Sequence, residues 1–265
     1  MQFPKLNFSY PKKRAIITGA GSGLGLALTQ LLVANEWHVL AIDLQCKALE
    51  NLGADLVEIH AFDITNRSLF ESCIVHFCTR HDGVDILFNN AGVGEGTLFQ
   101  NYDLTHWDWI IDVNLKSVIA ATHVVLPFLQ KANAGCIVNM ASMAGIANLP
   151  KMSPYNVTKA GVISLSETLS HELSKTNIHV TCVTPTFFQS SILQHSKGDQ
   201  EIVDAAQKIV SASKLSSRDA AIIILNKLHA NSETIRFPKH AHLFFYGRRL
   251  FPKFYKFIVR KFLMK

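Results

Sequence analysis

The 265-residue chain is 48% apolar and 17% charged, which supplies a substantial core and excludes both wholesale disorder and a disulfide-stapled miniprotein. Its formal charge of +6 points first to nucleic acid or an anionic membrane. Residues 248–265, however, hold seven Lys and Arg and no acidic residue, leaving 19 basic against 20 acidic residues elsewhere. No recognition helix, aromatic platform or basic groove accompanies the charge, so a nucleic-acid partner is not expected.

Residues 1–13 form an N-terminal extension without the continuous apolar core of a signal peptide, and no run approaches the ~18 apolar residues of a membrane span. Cys46, Cys73, Cys78, Cys136 and Cys182 are an odd, scattered set, which fits a reducing compartment. The expected location is cytoplasmic, and the sequons at Asn7, Asn66 and Asn156 are then chance matches.

From residue 14 short β-branched runs alternate with longer amphipathic stretches. Strands are expected at 15–18, 38–43, 57–62, 85–89, 135–141 and 179–184, and helices at 23–35, 46–52, 67–81, 105–131 and 153–175. Beyond Pro185 the pattern loosens into a polar stretch, 194–200, followed by helix-like segments near 201–212 and 218–230, and a substrate loop or lid is expected at about 186–215. This order predicts an α/β fold, a doubly wound parallel sheet with helices on both faces, in a single domain over residues 14–247.

The first strand ends in Thr18-Gly19-Ala20-Gly21-Ser22-Gly23-Leu24-Gly25 and a helix follows. Glycines let the backbone turn sharply and approach a pyrophosphate, whose charge is favoured by the free N–H groups of the helix start. Asp43 ends the second strand about 20 residues on, where a carboxylate accepts hydrogen bonds from ribose hydroxyls and repels a 2′-phosphate. With no cation at Ser22, Leu44 or Gln45, the expected cofactor is NAD rather than NADP. The alternative for Asp43 is a cap on the next helix.

Tyr155 and Lys159 lie four apart early in a helix and share one face. A phenol has a pKa near 10, and a neighbouring ammonium, joined by a nicotinamidium charge, favours its phenolate and brings it toward the range of acid–base catalysis at neutral pH. Ser142 follows the fifth strand, at the carboxyl end where open α/β sheets place ligands, and can orient a carbonyl.

With these residues the sequence resembles the short-chain dehydrogenase/reductase family, in its single-domain subgroup, over residues 14 to about 190. The resemblance implies a Rossmann-type sheet of about seven parallel strands and assembly as a homodimer or homotetramer. It places Gly19, Ser22, Gly23 and Leu24 in the cofactor loop, Asp43 at the ribose, Asp63 and Ile64 beside the adenine, and Asn90, Ala91, Gly92 and Pro185 along the cofactor. Ser142, Tyr155 and Lys159 would be catalytic, with Asn114 holding a water in a proton relay. The implied reaction is hydride transfer between the nicotinamide and a carbon bearing a hydroxyl or carbonyl. One departure is Thr186, where the family has Gly after Pro185; Thr takes positive φ only at a cost, so the nicotinamide end is expected to be shaped differently.

Phe187 and Phe188 begin the family's substrate loop and fit an apolar substrate such as a lipid, steroid or retinoid-like alcohol; a polyol or sugar substrate, or a non-catalytic dinucleotide-binding scaffold, are the alternatives. Trp107 and Trp109 read as packing residues. Cys73, His76, Cys78 and His81 point in divergent directions on a helix at 100° per residue, so no metal site is expected. In the tail, Arg249, Lys253, Lys256 and Arg260 recur at spacings of four, three and four beside Leu250, Phe254, Phe257, Ile258 and Phe262. This basic amphipathic stripe fits either an anionic membrane surface or packing on the domain or a second subunit.

Overall fold

In the computed structural model, which describes residues 10, 12–53, 55–228 and 230–263, the β-branched runs stack into one parallel sheet. Its strands are β1 (Arg14–Thr18), β2 (His38–Asp43), β3 (Val57–Ala61), β4 (Ile86–Asn89), β5 (Gly135–Met140), β6 (Ile178–Val183) and β7 (Thr234–Ile235). Their spatial order is β3-β2-β1-β4-β5-β6-β7. The order reverses between β1 and β4, which opens a crevice at the strands' carboxyl ends. Residues 1–9 of the N-terminal extension, including the sequon at Asn7, lie outside the described residues, as does the side chain of Phe262.

Alternate residues of each strand face opposite layers. Ala15 and Ile17 pack with α1 (Gly23–Val33), while Ile16 packs with α2 (Arg67–Arg80). Helices on both faces leave the central strands buried and mostly apolar, with Asn89 and Asn139 paired to each other across β4 and β5 at 2.8 Å. At the opposite end of the sheet the Arg14 guanidinium forms a two-pronged pair with Asp85, at 2.8 and 3.1 Å, and ties β1 to the start of β4.

Three elements differ from expectation. Residues 46–52 form only a 3₁₀ turn, Lys47–Leu49, because Leu49 alone is buried there and Gly53, at φ +92°, turns the chain. So short a stretch does not repay helix nucleation. The helix expected at 105–131 is α3 (Leu104–Ile111) and α4 (Ser117–Ala132) joined by a π-helical turn, Asp112–Lys116. The seventh strand is two residues long, too short to carry a periodic pattern, and pairs Thr234 with Cys182 and Ile235 with Val183.

Leu104–Ala132 has the length and mean hydropathy of a membrane span, although Asp108, Asp112 and Lys116 interrupt its apolar run. Asn114, Ser117 and Thr122 on its inner face are buried, and Val125 and Leu129 join the core. It serves here as a core helix. After β5 come α5 (Ala144–Ala147) and α6 (Ser153–Glu172). After β6 come α7 (Gln200–Ser211) and α8 (Ser217–Leu228), and after β7 come α9 (His240–Leu250) and α10 (Pro252–Leu263). The cationic stripe is therefore divided at Phe251: Arg249 ends α9, while Lys253, Lys256 and Arg260 lie on α10.

Of the sequons, Asn66 caps α2 and Asn156 is buried in α6. On α2, Cys73 and Cys78 enter the core, His76 faces outward and His81 lies 2.7 Å from Glu58. Among the described residues no three His, Cys, Asp or Glu side chains converge as metal ligands.

Candidate active site

A cavity of about 850 Å³ occupies the crevice at the carboxyl ends of the strands. One end is built by the glycine turn after β1. Gly19 takes φ +67°, and a Cβ on it would stand 2.8 Å from Ala91 Cα. A Cβ on Gly21 would stand 1.9 Å from the Gln45 carbonyl oxygen. Only glycine lets the turn pass so close to the ends of β2 and β4. Ser22 stands at the N-cap of α1 without a side-chain capping bond, so the first-turn donors of a buried helix face the cavity with no side chain drawn across them. That is the chemistry a phosphate group needs.

Thr18 Oγ1 accepts bonds from the N–H groups of Asn90 and Ala91, at 3.1 and 3.0 Å, and Asn90 Nδ2 donates to the carbonyls of Thr18 and Gly19, at 2.9 and 3.0 Å. Asn90 thus braces the turn. Asp43 accepts from the N–H of Gly21 at 2.8 Å and from that of Gln45 at 3.0 Å. It caps no helix: Cys46 stands at the N-cap of the next turn. A carboxylate has about four acceptor positions, and two bonds leave capacity for hydroxyl donors in the cavity that Asp43 lines. Asp63 and Ile64 line the cavity beside it.

At the other end, Ser142, Tyr155 and Lys159 converge. Lys159 Nζ donates to the Met140 carbonyl at 2.7 Å and lies 5.7 Å from the centre of the Tyr155 ring. The Ser142 hydroxyl interacts with the Tyr155 phenol and accepts from the N–H of Ala144 at 3.1 Å. The loop carrying Ser142 is pinned to the next strand by the N–H of Met143 donating to the Pro185 carbonyl at 2.9 Å. Burial governs both ionisable groups. It raises the Tyr155 phenol to about 12, against a smaller lowering by Ser142, and lowers the Lys159 ammonium to about 8.

Asn114 sits in the π-helical turn, wholly buried. Its Oδ1 accepts from the N–H of Val93 at 2.8 Å and its Nδ2 donates to the carbonyl of Val93 at 2.9 Å. The extra residue of such a turn re-aims a side chain inward. Gly92 lies between: a Cβ there would be 3.3 Å from Asn114 Oδ1 and 3.4 Å from Lys159 Nζ.

Thr186 does not take the positive φ open to glycine. Its N–H donates to the Phe237 carbonyl at 3.0 Å, and its hydroxyl lies 2.8 Å from His240 Nε2. Phe187 and Phe188 both line the cavity, Phe187 half-exposed and Phe188 buried against Phe237 with ring centres 5.8 Å apart. Trp109, expected to pack, also lines the cavity and carries the Lys197 ammonium 4.3 Å above its ring.

The sequence reading missed several lining residues. Ile202, Val203, Ala206 and Val210 form one face of α7, a spacing that marks an amphipathic helix without saying what it covers. His240 and Phe244 reach the cavity from α9, which no local signal connects to it.

Known proteins resemble this arrangement along most of the chain. A family model described as short chain dehydrogenase matches residues 13–201. A 3-oxoacyl-[acyl-carrier-protein] reductase FabG of Thermotoga maritima is 32% identical over 188 residues, which is 69% of this chain and 76% of that protein. The crystal structure of a short chain dehydrogenase/reductase from Burkholderia phymatum in complex with NAD superposes with a TM-score of 0.85 at 26% identity, over 93% of this chain and 96% of that one. The closed form of a serine dehydrogenase complexed with NADP+ superposes with a TM-score of 0.76 at 27% identity, over 84% and 94% of the two chains.

Proposed function

Because this chain belongs to the short-chain dehydrogenase/reductase family, we propose that it transfers hydride between NAD(H) and a secondary alcohol or ketone of apolar character. The observation that carries the reading is the convergence of Ser142, Tyr155 and Lys159 on one end of a cavity whose other end is the glycine turn and Asp43. The dinucleotide, when bound, gives or takes the hydride at its nicotinamide ring.

The chain's own residues would do the rest. The α1 start, with Gly19, Ser22, Gly23 and Leu24, would hold the phosphates, Asp43 the adenosine ribose, and Asp63 and Ile64 the adenine. Asn90, Ala91, Gly92 and Pro185 would line the path to the nicotinamide. Ser142 would hold the substrate oxygen, and Tyr155 would give that oxygen a proton on reduction or take it on oxidation. Lys159 would stabilise the phenolate left on Tyr155, and Asn114 would position Val93 and a relay water. NAD over NADP is supported by the Asp43 carboxylate, with Leu44 and Gln45 the neighbours that a 2′-phosphate would meet.

An apolar substrate is supported by Phe187, Ile192, Val203, Val210 and Phe244 around the cavity. On this reading residues 14–247 are the catalytic region, the protein is cytoplasmic, and it works as a homodimer or homotetramer, as sedimentation velocity would measure. The deciding experiment is a panel of aliphatic, steroid and polyol alcohols and their ketones, with Tyr155→Phe as control. Turnover of apolar members, lost in the variant, is expected. Turnover of polyols alone overturns the substrate class, and no turnover of any member favours a scaffold.

A further inference from the structure

The last two helices leave an apolar face uncovered. On α9, Leu243, Tyr246 and Leu250 recur at spacings of three and four, and are 75, 51 and 62% exposed. Across the break, Phe251, Phe254 and Phe257 are 63, 66 and 56% exposed. Removal from water favours each of these side chains, so six together mark a contact surface rather than scattered exposure. Beside them Lys253, Lys256 and Arg260 form a stripe on α10, and with Lys261 they surround Phe257 in a shallow depression. No acidic side chain occurs from residue 248 to 265.

The helix pair is fixed to the site end of the domain. Tyr255 Oη donates to the Ala147 carbonyl at 2.9 Å, and the Asn148 amide oxygen, placed toward Arg248, accepts from its guanidinium at 3.0 and 3.1 Å. Ala147 and Phe244 line the cavity, and Phe244 is also 44% exposed, which places it at the rim. The uncovered face and the cavity's opening therefore adjoin.

We propose that this face docks on an anionic lipid bilayer, with the aromatic and leucine side chains at the acyl boundary and the α10 cations on lipid phosphates. A second copy of the chain fits it less well, because a two-fold contact would set each acid-free cationic stripe against its like. Bound this way, the protein would hold the cavity rim against the membrane. The inference does not depend on the proposed reaction.

The test is sedimentation of the full chain with vesicles of phosphatidylcholine alone and of phosphatidylcholine with phosphatidylglycerol, at low and high salt. Binding to the anionic vesicles that weakens with salt is expected. The triple variant Lys253→Glu, Lys256→Glu, Arg260→Glu should bind them roughly a hundredfold or more weakly, and Phe254→Ser with Phe257→Ser about tenfold or more weakly, each with an unchanged circular dichroism spectrum. Equal binding to both vesicle types, or binding unaffected by charge reversal, overturns the proposal. So does failure to bind either while Phe254→Ser with Phe257→Ser converts a dimer to a monomer in sedimentation velocity, which would assign the face to self-association.

Discussion

Thr186 and His240, 54 residues apart in sequence, meet through a 2.8 Å contact between the threonine hydroxyl and Nε2 of the imidazole. The residue after Pro185 thereby holds the first turn of α9 over the cavity. Replacing Thr186 by Val keeps the shape and removes the bond, at about 1 kcal/mol. Differential scanning fluorimetry should register a fall in Tm of roughly 2–4 °C, and Thr186→Ser should restore most of it. His240→Ala combined with Thr186→Val should cost less than the two single effects added, because both remove one interaction.

Asn114 anchors Val93 by both its amide and its carbonyl. Asn114→Ala leaves two backbone groups to find other partners, a loss of about 2–4 kcal/mol. A Tm lower by roughly 5–12 °C is expected, measurable by thermal unfolding followed with circular dichroism. An unchanged Tm would mean that the π-helical turn, and not the amide, holds Val93.

Burial places the Lys159 ammonium near 8, below its usual 10.5. Between those values the unfolded chain carries a proton that the folded chain lacks, so folding stability rises with pH from about 8 toward 10.5. Below about 8 the folded chain must carry the charge, and the full cost is present. Tyr155, raised from 10 to about 12, acts in the opposite sense and only above pH 10. The stability of the unaltered protein relative to Lys159→Met, from urea unfolding between pH 7 and 10, should therefore rise by on the order of a few kcal/mol, while the buried thiols, which burial also holds protonated, lower the stability of both proteins alike as pH rises past 9. A difference between the two proteins that stays constant across the range would refute the assignment.

Asp43 already accepts two backbone N–H groups, so its replacement acts on the turn as well as on a ligand. Asp43→Asn keeps the shape and one acceptor oxygen while removing the charge. In fluorescence titration its NADH affinity should fall roughly tenfold, and its NADPH affinity should hold or rise. A preference for NADH that survives unchanged would place the discrimination elsewhere.

The parts of this site that could be read in advance are those held by short-range geometry. Tyr155 and Lys159 share a helix face at four residues' spacing, and the glycine turn and Asp43 stand at the ends of consecutive strands. The π-helical turn could not be read, because Asp112–Lys116 has the composition of any helical segment, and only packing against Val93 and Thr158 selects the wider turn. His240 and Phe244 were invisible for another reason: their approach to the cavity depends on the path of β7, itself two residues long. The burial of Tyr155 and Lys159 could not be read either, since a pair of groups on one helix face says nothing of how dry that face is.

That two-residue strand has a kinetic consequence. The segment from α9 onward joins the sheet through the pairing of Thr234 and Ile235 with Cys182 and Val183, backed by buried Ile235 and Phe237, and is otherwise tied by the Thr186–His240, Arg248–Asn148 and Tyr255–Ala147 contacts. The other six strands close on one another without it. The C-terminal helices can thus swing away as a cooperative unit at far less cost than global unfolding, and amide exchange should be faster by orders of magnitude in α9 than in β1. Traffic into the cavity would then be timed by the joint opening of these few ties.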